Sequence, residues 1–153
     1  MPEIKLSGTE LLHGAMMGAI IQIRALKRGG QHEWGMTDDN AWHFHIEGVL
    51  AELALAKWMG LYWSLTTFAR RGDGDVGKDE VRQTGHENGR LIMHPEDLDE
   101  RKYWLVTGNM GVYRIRGWMR GRDGKQDQWW EDPTDKKRFA FFVPQRELDT
   151  DDF

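Results

Sequence analysis

Apolar positions change period once along this chain, from helical spacing before Gly60 to short alternating runs after it. Leu12, Met16, Ala19, Ile20, Ile23 and Leu26 recur three or four residues apart, the repeat of one helix face. Ser7 with Glu10 three places on is a capping-box pattern. The run stops at Gly29-Gly30 behind Lys27 and Arg28, where a helix dipole favours cations. A helix is expected over about Gly8–Arg28. "QHEWGMTDDN" then reads as a loop, and Asp38 to Asn40 offer N-caps for a second helix over roughly 40–59. Ile46, Val49, Leu50, Leu53 and Ala56 line one side of it, and Gly60 ends it. Gly48 inside this helix costs about 1 kcal/mol against alanine, which points to close packing or a special site.

Beyond Gly60, "LYWSLTTF", "RLIM", "KYWLVTG", "VYRIRGWMR" and "FAFFVP" read as strands. "DVGKDEVRQT" reads as a hairpin turning near Gly77-Lys78, and Asn88-Gly89 is a second hairpin signal. "GRDGKQDQWWEDPTDKK" is a long polar connection carrying Trp129 and Trp130. The expected fold is α+β: two N-terminal helices packed on a mixed, mostly antiparallel sheet. Residues 1–148 form one domain on this reading, and 149–153 an acidic, frayed tail.

Composition narrows the picture further. The chain has 153 residues, 39% of them apolar and 30% charged, as in a soluble globular domain. Without cysteine it has no disulfide, no thiolate zinc site and no cysteine nucleophile, which fits a cytoplasmic location. Neither a signal peptide nor a membrane span is expected. A net charge of −4 does not advertise nucleic acid, but local patches act locally. Eight tryptophans suit cores and binding faces alike.

Candidate chemistry concentrates in "DVGKDEVRQT". Glu80, Arg82 and Thr84 share one strand face, and Asp75 lies just across a short turn. Two carboxylates and a cation can thus converge, as phosphodiester hydrolysis with magnesium requires. Glu52, in an otherwise apolar helix stretch, supplies a third carboxylate that burial would penalise unless it is paired. The order "GVLAELALAKWMG" then "DVGKDEVR" resembles the PD-(D/E)xK nuclease superfamily. The resemblance covers about two-thirds of the chain and extends to phage-encoded proteins of this type. It implies a restriction-endonuclease-like core and one or two Mg²⁺ or Mn²⁺ ions held by Glu52, Asp75 and Glu80. DNA would be the substrate, cleaved by a metal-activated water in the cytoplasm of a bacterial host. Arg82 stands in the lysine's place and would bind the phosphate rather than shuttle a proton. Only four residues separate Asp75 from Glu80, which leaves Asp73 as a competitor for the aspartate role.

Bland readings compete throughout. Asp75, Glu80 and Arg82 also fit a surface hairpin with a cross-strand ion pair. His43 and Glu47 share a helical face with too few companions for zinc, and His86 sits in a turn beside the expected site. Arg114 and Arg116 point one way with Trp118 and either grip a phosphate backbone or pair with acids. The alternative to an enzyme is a catalytically inactive nuclease-like protein that binds nucleic acid or a protein partner. A two-fold cut would need a homodimer.

Overall fold

The computed structural model describes residues 1–29, 40–63 and 73–153. It begins with a short strand that the periodicity did not signal, β1 (Glu3–Lys5). Two helices follow, α1 (Gly8–Arg28) and α2 (Ala41–Met59). The Ser7–Glu10 capping box is formed, and both helices end on a left-handed glycine, Gly29 and Gly60. Strands β2 (Glu80–Thr84), β3 (Leu91–Met93), β4 (Lys102–Asn109) and β5 (Val112–Arg120) come next. A one-turn helix, α3 (Gly121–Gly124), leads to β6 (Trp130–Glu131) and β7 (Ala140–Val143). Of the expected strand "LYWSLTTF", Leu61–Trp63 have no regular structure and the rest lies outside the described residues.

The strands form two sheets, ordered β1-β5-β4-β2 and β3-β7-β6. All their pairings are antiparallel except β2 with β4, which run parallel with Arg82 opposite Leu105. The α+β class and a mixed, mostly antiparallel sheet are therefore present. The Gly77-Lys78 turn is also present, closed by backbone bonds between Val76 and Asp79. The Asn88-Gly89 turn joins no hairpin, because β2 and β3 belong to different sheets. Neither residue has the positive φ that a type I′ hairpin turn demands.

Alternation sorts β4 and β5 between two cores. Trp104, Val106, Tyr113 and Ile115 meet Leu50, Ala54 and Leu55 of α2. Tyr103 and Leu105 face the other way, against Leu91, Met93 and Val143 of the second sheet. A bulge at Gly117 (φ 132°) breaks this alternation. Trp118 consequently joins the core under α2, not the face that carries Arg114 and Arg116. Only glycine suits the bulge, since an added Cβ would lie 2.6 Å from the Asp149 carbonyl oxygen. The expected frayed tail is in fact docked there. Asp149 exchanges two backbone hydrogen bonds with Trp118, and Phe153 packs edge-on to Trp58.

Helix α1 turns its stripe outward. Leu12, Met16, Ile20, Ile23 and Leu26 are all exposed, and the buried positions are Gly14, Gly18 and Gln22. Small residues let the two helix backbones approach, so Gly18 lies directly over the backbone of Ile46. A Cβ at Gly18 would sit 2.5 Å from the Ile46 Cα. Gly18→Ala is therefore expected to destabilise the fold by about 1–3 kcal/mol, although alanine is the better helix former. Urea unfolding checks this, and a neutral or stabilising effect would mean the helices can separate at no cost. No helix among the described residues is long and apolar enough to cross a membrane.

Candidate active site

Where α2 packs on β2, three carboxylates lie near enough to act on one another's charge. Asp75 precedes the Gly77-Lys78 turn, and its Oδ2 accepts a hydrogen bond from the Val81 backbone N–H at 2.8 Å. This bond holds Asp75 against the start of β2, beside Glu80. Glu80 stands close enough for its charge to act on Asp75. Burial pushes the Asp75 carboxyl up to about 6, with the Glu80 charge adding to the effect. The Val81 N–H and the Arg82 charge act in the opposite direction. Glu52 on α2 is pushed well above the ordinary carboxylate range, first by burial and then by the charges of Asp75 and Glu80. The Trp63 indole donates a hydrogen bond to it and partly offsets this. Asp73, the competing acid, is exposed, and its carbonyl accepts from Arg101 at 3.3 Å.

The cations are positioned by the sheet. Arg82 donates from Nη2 to Asp97 at 2.9 Å and lies over the Tyr103 ring, 5.1 Å from its centroid. Its Nε, buried, has no hydrogen-bond partner among the described residues. Arg101 pairs with Glu80. Sequence reasoning missed Arg101, because only the parallel β2–β4 register, with Glu80 opposite Tyr103, brings it there. Trp63 was missed for a similar reason. It follows the Gly60 helix stop, and only the return of the chain past α2 sets it beside Glu52.

The other candidates lie elsewhere. Arg116 is buried, donating to the Thr107 hydroxyl at 2.6 Å and standing 3.6 Å from Glu87. Arg114 bridges Glu3 and Glu87 at 3.0 and 3.2 Å. Both arginines are on β5, and β4 stands between them and Arg82. His43 and Glu47 stand one turn apart on α2, as expected, but they form no ligand cluster. His43 is exposed, whereas Glu47 points inward to Tyr113 and Met110.

A cleft of about 740 Å³ opens beside Glu52, which lines it, whereas Asp75 and Glu80 lie behind its lining. Phe44, Gly48 and Glu52 border it on the α2 side, Arg82 and Thr84 on the β2 side, and Ile92 and Phe142 on the second sheet. His45, His86 and His94 also line it.

No protein-family model matches this chain, and no curated protein or solved structure is significantly similar to it.

Among the described residues, no three His, Asp or Glu side chains are set around one point as ligands of a single ion. Magnesium, however, is usually held by one or two carboxylates, with waters and substrate phosphate completing its shell. The Asp75–Glu80 pair provides that donor set, and a divalent ion there would offset the burial and the neighbouring negative charge that raise Asp75 and Glu52. The donor chemistry thus fits a two-carboxylate magnesium or manganese site with Glu52 alongside.

Proposed function

We propose that this chain is a metal-dependent nuclease of the PD-(D/E)xK type, with a restriction-endonuclease-like core, acting on DNA. The closeness of Glu52, Asp75 and Glu80 supports this reading: burial raises Asp75 and Glu52, and the Glu80 charge adds to both. Acidic groups brought together from separate elements and raised by burial are the kind of groups that functional sites use. Asp75 and Glu80 would hold the metal, and Glu52 would complete its surroundings. Bound there, magnesium or manganese polarises a phosphate and makes a nearby water more acidic. Arg82 offers its guanidinium to the scissile phosphate in exchange for Asp97. Arg101 limits the negative charge that a polyanion meets on entering.

A second reading, a non-catalytic protein that binds nucleic acid, draws on the same ion pairs. Arg101 already neutralises Glu80, and arginine stands at position 82. A nicking assay in Mg²⁺ or Mn²⁺ separates the two. Wild-type protein is expected to convert supercoiled DNA to open circles, and Asp75→Ala and Glu80→Ala are expected to lose at least about a thousandfold in rate. Equal DNA loss in all three proteins would indicate a contaminant and overturn the enzymatic reading.

A further inference from the structure

Three glycines of the helix pair differ in what surrounds them. Gly14 and Gly18 are crowded by Leu50 and Ile46 of α2. Gly48 has no described atom within 4 Å of where its Cβ would be, so packing does not repay its helical cost. It instead borders the cleft, one turn before Glu52 and one turn after Phe44. Residues four apart stand on one helix face, about 6 Å from one to the next. The α2 wall of the cleft is therefore a row: an aromatic ring, a gap that exposes helix backbone, and a carboxylate of the metal site. A helix glycine opening on a cleft suits a ligand that must approach the main chain closely.

We propose that a single-stranded nucleic acid lies along this row, which rests on the metal-dependent nuclease reading. The phosphate sits at the Glu52 end, the sugar passes over Gly48, and the neighbouring base packs on Phe44. A single strand can turn its bases toward a protein wall, because every base offers a stacking face. A duplex keeps its bases stacked inside, so neither Phe44 nor the gap would serve it.

The test is fluorescence anisotropy with a labelled single strand of about 12 nucleotides and the matching duplex, calcium replacing magnesium. Wild type is expected to bind the single strand at least about tenfold more tightly than the duplex. Gly48→Leu is expected to weaken single-strand binding about tenfold, and Phe44→Leu, which keeps apolar volume, about five-fold. Gly48→Ala should raise the melting temperature by about 2–4 °C and weaken binding less than leucine does. Equal or tighter duplex binding, unchanged affinity in Gly48→Leu, or a lowered melting temperature in Gly48→Ala would each overturn the proposal. Single-strand preference without metal-dependent cleavage would remove the nuclease reading and leave the binding path standing. Metal-dependent duplex cleavage without that preference would do the reverse.

Discussion

Asp75→Asn is expected to stabilise the fold at pH 7 while abolishing metal-dependent hydrolysis. In the native protein the Asp75 carboxyl is raised from its ordinary 3.8 to about 6. Between those values the folded state keeps a proton that the unfolded state releases. The contribution of Asp75 to stability is thus full below about pH 4 and is lost as pH rises through about 6. The difference amounts to about 3 kcal/mol at most, and relaxation around the paired acids reduces it to about 1–3 kcal/mol. Asparagine mimics the protonated acid. Its carbonyl can accept from the Val81 N–H, and its NH₂ can donate to Glu80. Urea unfolding should show a gain of that size at pH 7 and none near pH 4. Saturating magnesium should raise the melting temperature of wild type but not of Asp75→Asn, because the ion replaces the proton only where two carboxylates remain. A variant equally destabilised at both pH values would show that Asp75 is held by packing and not burdened by charge.

Glu47→Ala is expected to cost about 3–5 kcal/mol, the largest loss of any single substitution considered. Glu47 is only 4% exposed. Its carboxylate accepts from the Tyr113 hydroxyl at 2.6 Å and from the Met110 N–H at 3.1 Å. These bonds tie the middle of α2 to the turn between β4 and β5. Met110 takes a positive φ of 52° in that turn, so the anchored N–H also holds an unfavourable backbone conformation. Alanine would leave a buried hydroxyl and a backbone donor unpaired. Tyr113→Phe in the Glu47→Ala background supplies the check. Removing the orphaned hydroxyl should recover about 1 kcal/mol in denaturant unfolding, and additive losses would argue against a direct coupling.

The two outward signals of α1 and β5 show where period-counting misleads. Leu12, Met16, Ile20 and Ile23 mark a helix correctly but not the face it buries, since glycine carries no hydropathy and yet permits the closest approach. On β5, alternation carried through Gly117 would group Trp118 with Arg114 and Arg116. The bulge turns Trp118 under α2, and burial engages Arg116 with Thr107. Arg114 and Arg116 therefore stay away from Glu52 and its cleft, which Arg82 and Arg90 line, while Arg101 pairs with Glu80.

The extents of both long helices, the Ser7 capping box, the Gly77-Lys78 turn and strands β2, β3, β4, β5 and β7 were legible in the residues alone, whereas α3 and β6 lie in the stretch read as a polar connection. The legible features are local matters of backbone propensity, side-chain capping and alternation, decided within a few residues. The sequence also marked Glu52, Asp75 and Glu80 as three acids in a telling order. That these acids act on one another, and that Arg101 pairs with Glu80, follows from the packing of distant segments. The parallel β2–β4 pairing and the packing of α2 bring residues distant in sequence near one another, and electrostatic effects depend on that separation in space.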